Sequence, residues 1–235
     1  MDKAVGGAFY YNYYGPQLCY MRRLEAEPAY SVGAVILAAG RSARMGRPKL
    51  LLSWGNTSVL GHLIAQWQAL GARQIAVVSA AGDRAVPGEL DRLGFARANR
   101  ITNPTPERGM FSSIQSAAQW PGWQPALTHW AILLGDQPHL QPETLRRVLD
   151  FSVAQPAQVC QPARRGHGRH PVLLPKAMFQ ELAVSSAPTL KAFLAARTGA
   201  IALCEVDDPG LDVDLDRPAD YDTALKLAAR RRAEG

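Results

Sequence analysis

The chain has 235 residues, 47% of them hydrophobic and 20% charged, which suits one large soluble globular domain or two small ones and argues against a low-complexity chain. The formal net charge of +6 favours anionic partners but does not choose between nucleic acid, a membrane surface and a phosphorylated metabolite. No apolar run reaches the roughly 18 residues of a membrane span, and the three cysteines form no C-x-x-C pair, so we expect a reduced, cytoplasmic protein without a membrane partner, a zinc site or a disulfide framework.

The first 30 residues differ from the rest of the chain. Six of the seven tyrosines lie in this segment, which shows neither helical nor strand periodicity. We therefore predict a poorly ordered N-terminal extension over residues 1–30 and a folded domain over 31–235. An interaction arm is the alternative interpretation of the tyrosine-rich segment.

From Val32 onward, short apolar runs alternate with amphipathic ones, which predicts an α/β fold with a mostly parallel sheet. Residues 32–38 and 130–134 are continuous apolar runs, as expected for strands buried on both faces, and 74–79 also indicates a strand. The run from Ser58 to Gly71 predicts a helix that serine caps and glycine ends. Further helices are predicted after Pro142, over 176–184, over 189–197 and near 218–230, with weaker strands at 158–163, 171–175 and 201–206.

The loop after the first predicted strand, "LAAGRSARMGRPK" at 37–49, is rich in cations and contains no acid. Arg41, Arg44, Arg47 and Lys49 lie within it. Such a patch favours an anionic guest, for which a triphosphate is the obvious candidate, and ligands of parallel sheets bind beyond the carboxyl ends of the strands. The loop matches neither G-x-G-x-x-G nor G-x-x-x-x-G-K-[ST]. A solvated basic surface turn is the alternative.

This loop closely resembles the opening signature of the nucleotidyltransferases, and most of all that of the molybdenum cofactor cytidylyltransferases. Four further segments support the resemblance: "GMFSS" at 109–113, "LLGDQP" at 133–138, "GRHPVLL" at 168–174 and "DLDRPADY" at 214–221. The resemblance covers about residues 33–225, with Arg217 and Ala219 in place of the Thr and Glu common in the family. It implies a three-layer Rossmann-like fold.

The activity implied by the resemblance is transfer of CMP from CTP to the phosphate of molybdopterin or its molybdenum form, with release of pyrophosphate. A client molybdoenzyme is a further expected partner, and no nucleic acid is expected. Three alternatives stay open: transfer from GTP, transfer to a sugar phosphate, and a delivery chaperone for the finished cofactor with little turnover.

The family motif assigns roles to residues of the basic loop. Arg44 and Lys49 match its two fixed cations, which implies that they hold the triphosphate and the charge that grows on the leaving pyrophosphate. Ser112 and Ser113 stand near a predicted helix start and could meet a base edge or a phosphate, although helix capping explains them almost as well. The predicted nucleotide-binding set is Leu37, Ala38, Ala39, Gly40, Arg44, Lys49, Ser112 and Ser113.

Acidic residues in two motifs predict a site for Mg²⁺ or Mn²⁺. Asp136 directly follows an apolar strand, where a metal bound to phosphates would lie. In "DVDLD" the carboxylates of Asp212, Asp214 and Asp216 would share one face of an extended chain, and the family match favours the last two as metal ligands. The alternatives are a turn aspartate at the first position and an exposed acidic turn at the second.

The acceptor is expected at the basic segment "RRGHGRH", residues 164–170. Arg169 and His170 are the predicted acceptor-binding residues, and the histidine has a structural role as its alternative. Two histidines without cysteine or carboxylate partners at metal-ligand spacing make only a weak zinc signal.

Overall fold

The computed structural model describes residues 30–40 and 45–234, without the side chains of Thr198 and of 230–234. The predicted roles of Arg41 and Arg44, and the predicted extension over 1–29, therefore lie outside the described residues. Tyr30, the last residue of that predicted extension, packs onto the domain, where its ring lies 4.4 Å from the ring of His129. No helix in the described part of the chain is long and apolar enough to cross a membrane.

Strands and helices alternate through the described residues. In chain order, strands β1 to β10 are Val32–Leu37, Ser53–Trp54, Thr57–Ser58, Gln74–Ala80, Arg100–Asn103, His129–Leu134, Val159–Arg164, His167–Gly168, Val172–Pro175 and Ile201–Glu205. Helices α1 to α7 are Val59–Ala69, Ala85–Arg92, Met110–Gln119, Pro142–Ala154, Lys176–Leu182, Leu190–Ala195 and Pro218–Glu234. Short 3-10 helices lie at Lys49–Leu51, Arg97–Asn99, Pro106–Arg108, Thr198–Ala200 and Pro209–Asp212.

The main sheet has the strand order β10-β7-β9-β6-β1-β4-β5, with β8 paired to β7. Strand β1 is parallel to β4 and to β6, β4 is parallel to β5, and β10 is parallel to β7. Strand β9 runs antiparallel to both of its neighbours. Strands β2 and β3 form a separate antiparallel ribbon.

Side chains of β1 alternate between two cores, one on each face of the sheet. Ala34 and Ile36 join the core that α1, α2, α4 and α7 cover, whereas Val35 and Leu37 join the core under α3, α5 and α6. Helices therefore form a layer on each face of a mostly parallel sheet, which confirms the three-layer α/β prediction.

Local signals account for the elements that the sequence indicated most clearly. Helix α1 begins where the Ser58 side chain accepts a hydrogen bond from Gly61 N at 3.0 Å, and the chain leaves it through Gly71 at φ +83°. Helix α2 and strand β5 were not among the predicted elements. Each buries only two side chains, so neither has a clear apolar period.

Candidate active site

The carboxyl ends of β1, β4 and β6 border a cleft. After β1 the chain first adds β4 and β5 on one side of that strand and later adds β6 on the other, so the cleft lies where the order of the strands changes direction. Ligands of open α/β sheets bind in this position. The cleft has two lobes of about 510 and 360 Å³, and both include Ala39, Gly40 and Lys49 in their walls. The larger lobe continues over Leu37, Ser113 and Asp136, whereas the smaller one continues over Ala38 and residues 80–83.

Lys49 and Asp136 meet at the floor of the larger lobe. The Lys49 ammonium lies 2.5 Å from Asp136 Oδ2 and 3.7 Å from Asp216 Oδ1. Lys49 opens a 3-10 helix at the end of the basic loop, and Asp136 follows β6 by two residues. The structure thus brings together residues that lie 87 positions apart in the sequence and that separate motifs had indicated.

Gly135 lets the ends of β1 and β6 pack closely beside the two charged side chains. A Cβ on this glycine would lie 2.8 Å from the Leu37 carbonyl oxygen and 2.7 Å from Leu50 Cδ2, distances shorter than ordinary contact. The glycine before Asp136 is therefore a packing requirement of the strand ends. By contrast, a Cβ on Gly40 would meet nothing within 4 Å, so within the described residues no protein contact demands glycine there.

Asp214 and Asp216 approach the same point from the segment before α7. Leu215 N donates to the Asp136 carbonyl oxygen at 3.1 Å, which places this segment beside the end of β6. The Asp214 carboxylate accepts from Gln137 Nε2 at 2.9 Å. Burial raises the pKa of Asp214 above its ordinary value, and the neighbouring Asp136 charge raises it further.

Asp212 does not join this acidic group as the extended pattern predicted. It ends the 3-10 helix Pro209–Asp212 and faces two arginines instead. The alternation of "DVDLD" failed here because a helical turn, rather than an extended strand, precedes Val213.

The carboxylates of Asp136, Asp214 and Asp216 lie near one another beyond the end of β6. Asp136 Oδ1 is buried without a hydrogen-bond partner among the described residues, and Asp214 and Asp216 lie close enough to act on each other's charge. Carboxylate oxygens are the ligands that Mg²⁺ prefers, and substrate phosphates commonly complete its coordination. Among the described side chains, no set of three or more histidine, cysteine, aspartate and glutamate residues could hold a metal ion by itself.

Asp208 anchors the loop that carries the two aspartates, and sequence reasoning missed it. Its buried carboxylate accepts from Gly210 N at 2.9 Å, from Thr144 Oγ1 at 3.0 Å and from Gln141 N at 3.1 Å. His139 Nε2 adds a bond to the Gly210 carbonyl oxygen at 2.9 Å. The "DPG" turn at 208–210 was the available signal, since aspartate before such a turn commonly caps its backbone.

Ser112 and Ser113 are both buried at the start of α3, and Asn103 holds them there. Its side-chain amide donates to the two hydroxyl oxygens at 2.8 and 2.9 Å, and its Oδ1 accepts from Thr105 N. The Ser112 hydroxyl also lies within hydrogen-bond distance of the carbonyl oxygens of Thr105 and Gly109, whereas the N-cap of α3 is Gly109, which has no side-chain cap. Ser113 additionally lines the larger lobe. Asn103 was not predicted because nothing local marks an asparagine at a strand end as a partner of a later helix.

A separate cavity of about 600 Å³ lies beside the cleft, and Met110 borders both. The predicted acceptor residues Arg169 and His170 line this second cavity. His170 Nδ1 donates to the Ile132 carbonyl oxygen at 3.2 Å, and burial lowers the pKa of its ring. The neutral ring is therefore hydrogen-bonded to β6, and both roles expected for His170 stay predictions.

Comparison with known proteins agrees with the fold. Residues 34–201 match the MobA-like NTP transferase domain. The chain is 26% identical to the molybdenum cofactor cytidylyltransferase of Escherichia coli K12 across 83% of this chain and 95% of that protein. It is also 33% identical to the bifunctional protein GlmU of Rhizorhabdus wittichii, over 54% of this chain but only 27% of the relative.

Crystal structures of similar proteins include Rv0371c from Mycobacterium tuberculosis. It is 28% identical, has a TM-score of 0.64, and the match covers 84% of this chain and 98% of that one. A further structure of Rv0371c is a complex with manganese; there the TM-score is 0.60, at 24% identity, and the match covers 83% of this chain and 98% of the other. Because the family match spans most of the domain, the chain belongs to the MobA-like NTP transferase family.

Proposed function

We propose that this nucleotidyltransferase transfers CMP from CTP to the phosphate of molybdopterin or Mo-molybdopterin and releases pyrophosphate. The chemistry rests on one observation above all: Lys49 and Asp136 meet in a cleft at the carboxyl ends of the central strands, and Asp216 Oδ1 lies 3.7 Å from the Lys49 ammonium. The choice of substrates rests on the similarity to the Escherichia coli cytidylyltransferase, which spans nearly the whole of both proteins.

The proposed reaction needs positioning and charge neutralisation rather than a protein nucleophile. A phosphate oxygen of the acceptor attacks the α-phosphorus of CTP, the bond from that phosphorus to the bridging oxygen breaks, and pyrophosphate leaves with the bond's electrons. Lys49 and Arg44 stabilise the charge that grows on the leaving pyrophosphate. Lys49 is already at the cleft floor, where its ammonium pairs with Asp136.

The nucleotide would lie across both lobes of the cleft. Small residues, including Ala38, Ala39 and Gly82, line the smaller lobe and leave room for the flat base of the nucleotide. The triphosphate would then extend over Gly40 toward Lys49. Ser113 would lie beside the part of the nucleotide that occupies the larger lobe. Leu37 contributes an apolar wall to that lobe.

A divalent cation, Mg²⁺ or Mn²⁺, would be held by Asp136 together with Asp214 or Asp216. Asp136 Oδ1 is buried without a hydrogen-bond partner among the described residues, and the pKa of Asp214 is raised first by burial and then by the Asp136 charge; a bound cation would offset the cost of both, which supports this proposal. When bound, such an ion supplies charge neutralisation for the phosphates. The manganese complex of the similar Rv0371c adds support from a relative.

The acceptor would occupy the second cavity, with Arg169 available for its phosphate. The cavity walls are mostly apolar and Met110 separates it from the nucleotide cleft, as expected for a ring system that must bring its phosphate to the α-phosphorus. A sugar phosphate is the second candidate acceptor, which the similarity to part of GlmU favours. We further propose that a client molybdoenzyme receives the product.

The test is a panel of CTP, GTP, UTP and ATP, each incubated with molybdopterin and Mg²⁺ or with a hexosamine 1-phosphate, with released pyrophosphate as the readout. We expect turnover with CTP and molybdopterin, and a fall in kcat of about 10² to 10³ in Lys49→Ala. Arg47→Ala, in the same loop at a variable motif position, is the matched control and should change kcat little. Turnover with the sugar phosphate alone, or equal mild effects of both variants, would contradict the proposal.

A further inference from the structure

Asp212 joins the wall of the acceptor cavity to the loop that carries the acidic residues of the cleft. Arg164 Nη1 donates to its Oδ2 at 2.5 Å, and Arg169 Nη2 donates to its Oδ1 at 2.8 Å. Arg169 Nε lies 3.3 Å from the same Oδ1. The Asp212 carboxylate thus lies between two guanidinium groups, each in contact with a different one of its oxygens.

The backbone of Asp212 is fixed from the other side. It is the last residue of the 3-10 helix Pro209–Asp212, which the buried Asp208 caps through Gly210 N. Val213 N donates to the Gly210 carbonyl oxygen at 3.2 Å, so the turn is closed directly after Asp212. The backbone that carries the carboxylate is thus held in place, and the carboxylate itself contacts the two long arginine side chains.

Both arginines come from the segment that forms the acceptor cavity. Arg164 ends β7, and Arg169 lies between β8 and β9, where it lines the cavity. Both guanidinium groups contact the same carboxylate, and without that negative charge between them they would repel each other. Arg169 would then turn away from Arg164 and lose its place at the cavity wall.

We propose that Asp212 is a positioning residue for the acceptor: it holds the Arg169 guanidinium in the place and orientation that bind the acceptor's phosphate. The inference rests on the proposed function, because it takes the second cavity as the acceptor site. Arginine binds phosphate through a planar fork of donors, so its orientation affects affinity as well as its charge. A guanidinium that is already ordered also loses less conformational entropy when the acceptor binds.

The direction of the effect separates positioning from simple charge. Asp212 is an anion close to the site of an anionic acceptor, so removal of its charge alone would strengthen acceptor binding. Loss of a positioning contact predicts the opposite result. The asparagine variant is suitable because it keeps the size of the side chain and removes the charge.

The experiment measures KM and the directly determined Kd for molybdopterin, kcat, and the Kd for CTP with Mn²⁺. In Asp212→Asn we expect KM and Kd for molybdopterin to rise about tenfold, as for loss of one charge-assisted contact, with CTP affinity and kcat within about twofold of wild type. Asp212→Glu should recover part of the loss. Asp207→Asn is the matched control. The Asp207 carboxylate is 95% exposed and its contact with Arg164 Nε is long, at 3.5 Å, so we expect this variant to leave all four values unchanged.

A double-mutant cycle with Arg169→Ala completes the test. If Asp212 acts through Arg169, the double variant should bind molybdopterin no more weakly than Arg169→Ala alone. Additive losses, unchanged or tighter binding in Asp212→Asn, or an equal loss of CTP affinity would overturn the inference. If the wild type binds molybdopterin but forms no product, the proposed function is wrong. The role of Asp212 is then decided by the Kd for molybdopterin in wild type and in Asp212→Asn. A wild type that does not bind molybdopterin would overturn the inference as well.

Discussion

The Asp208 carboxylate offers a sharp test of how the acidic loop is held. It is 1% exposed and accepts hydrogen bonds from two backbone amides and one hydroxyl. In Asp208→Asn an NH₂ group replaces one acceptor oxygen and must face at least one of these donors. The hydroxyl of Thr144 can rotate to accept a bond, whereas the amides of Gln141 and Gly210 cannot.

One buried donor left without an acceptor costs about 1–3 kcal/mol. We therefore expect Asp208→Asn to lower the free energy of unfolding by about that amount, and Asp208→Ala, which leaves three donors without their acceptor, by about 3–5 kcal/mol. Asp207→Asn is the matched control, since the same change at a 95% exposed neighbour should stay within about 0.5 kcal/mol of wild type.

Urea unfolding at pH 7.5, followed by far-ultraviolet circular dichroism and by tryptophan fluorescence, measures these differences. Turnover at a temperature where all variants are folded should fall in Asp208→Asn, because the loop that carries Asp214 and Asp216 loses its anchor. The reasoning is wrong if Asp208→Asn and Asp207→Asn unfold at the same urea concentration.

Three further predictions follow from single positions. Ala39→Gly should relax a preference for CTP over GTP without inverting it, because one methyl contact is worth about 1–3 kcal/mol of discrimination; an unchanged ratio of kcat/KM values would refute this. Burial lowers the pKa of His129, so below pH 6.5 the unfolded chain binds more protons than the folded one; stability should fall from pH 7 to pH 5.5, and less so in His129→Gln. Gly135→Ala should lower the free energy of unfolding in urea by about 1–3 kcal/mol, because its Cβ would meet the Leu37 carbonyl oxygen. Gly88→Ala, at an open helix position, should raise it by about 0.5–1 kcal/mol, and two equal effects would contradict the packing argument.

Elements whose cause is local were predictable from the sequence. Strands β1 and β6 are continuous apolar runs, and α1 carries both its stripe and its caps, so periodicity alone located them. The direction of β9 was not predicted, because it depends on how the chain turns back between β7 and β9 rather than on the composition of the strand. Antiparallel pairing there follows from the short connection, as parallel neighbours need a long crossover.

The same distinction holds in the site. The place of Asp136 was predictable because it lies two residues after a buried strand, and its pairing with Lys49 joins two recognisable motifs. Asn103 and Asp212 were not predictable as site-shaping residues, and the "DPG" turn marks Asp208 only as a cap of its own turn, not as a partner of α4. The bonds of Asp208 to α4 span 64 and 67 residues, and those of Asp212 to the two arginines span 43 and 48. No local pattern encodes such pairs; only the packed fold brings them together.

Transfer of the nucleotidyl group is the central claim, and labelled CTP tests it most directly. The protein is incubated with molybdopterin, Mg²⁺ and CTP that carries ³²P at either the α- or the γ-phosphorus, and the pterin product is separated from pyrophosphate. Attack at the α-phosphorus predicts that the α label appears in the pterin product and the γ label in pyrophosphate. A γ label in the pterin product or in free phosphate, or binding of both ligands with no label transferred, would contradict the account.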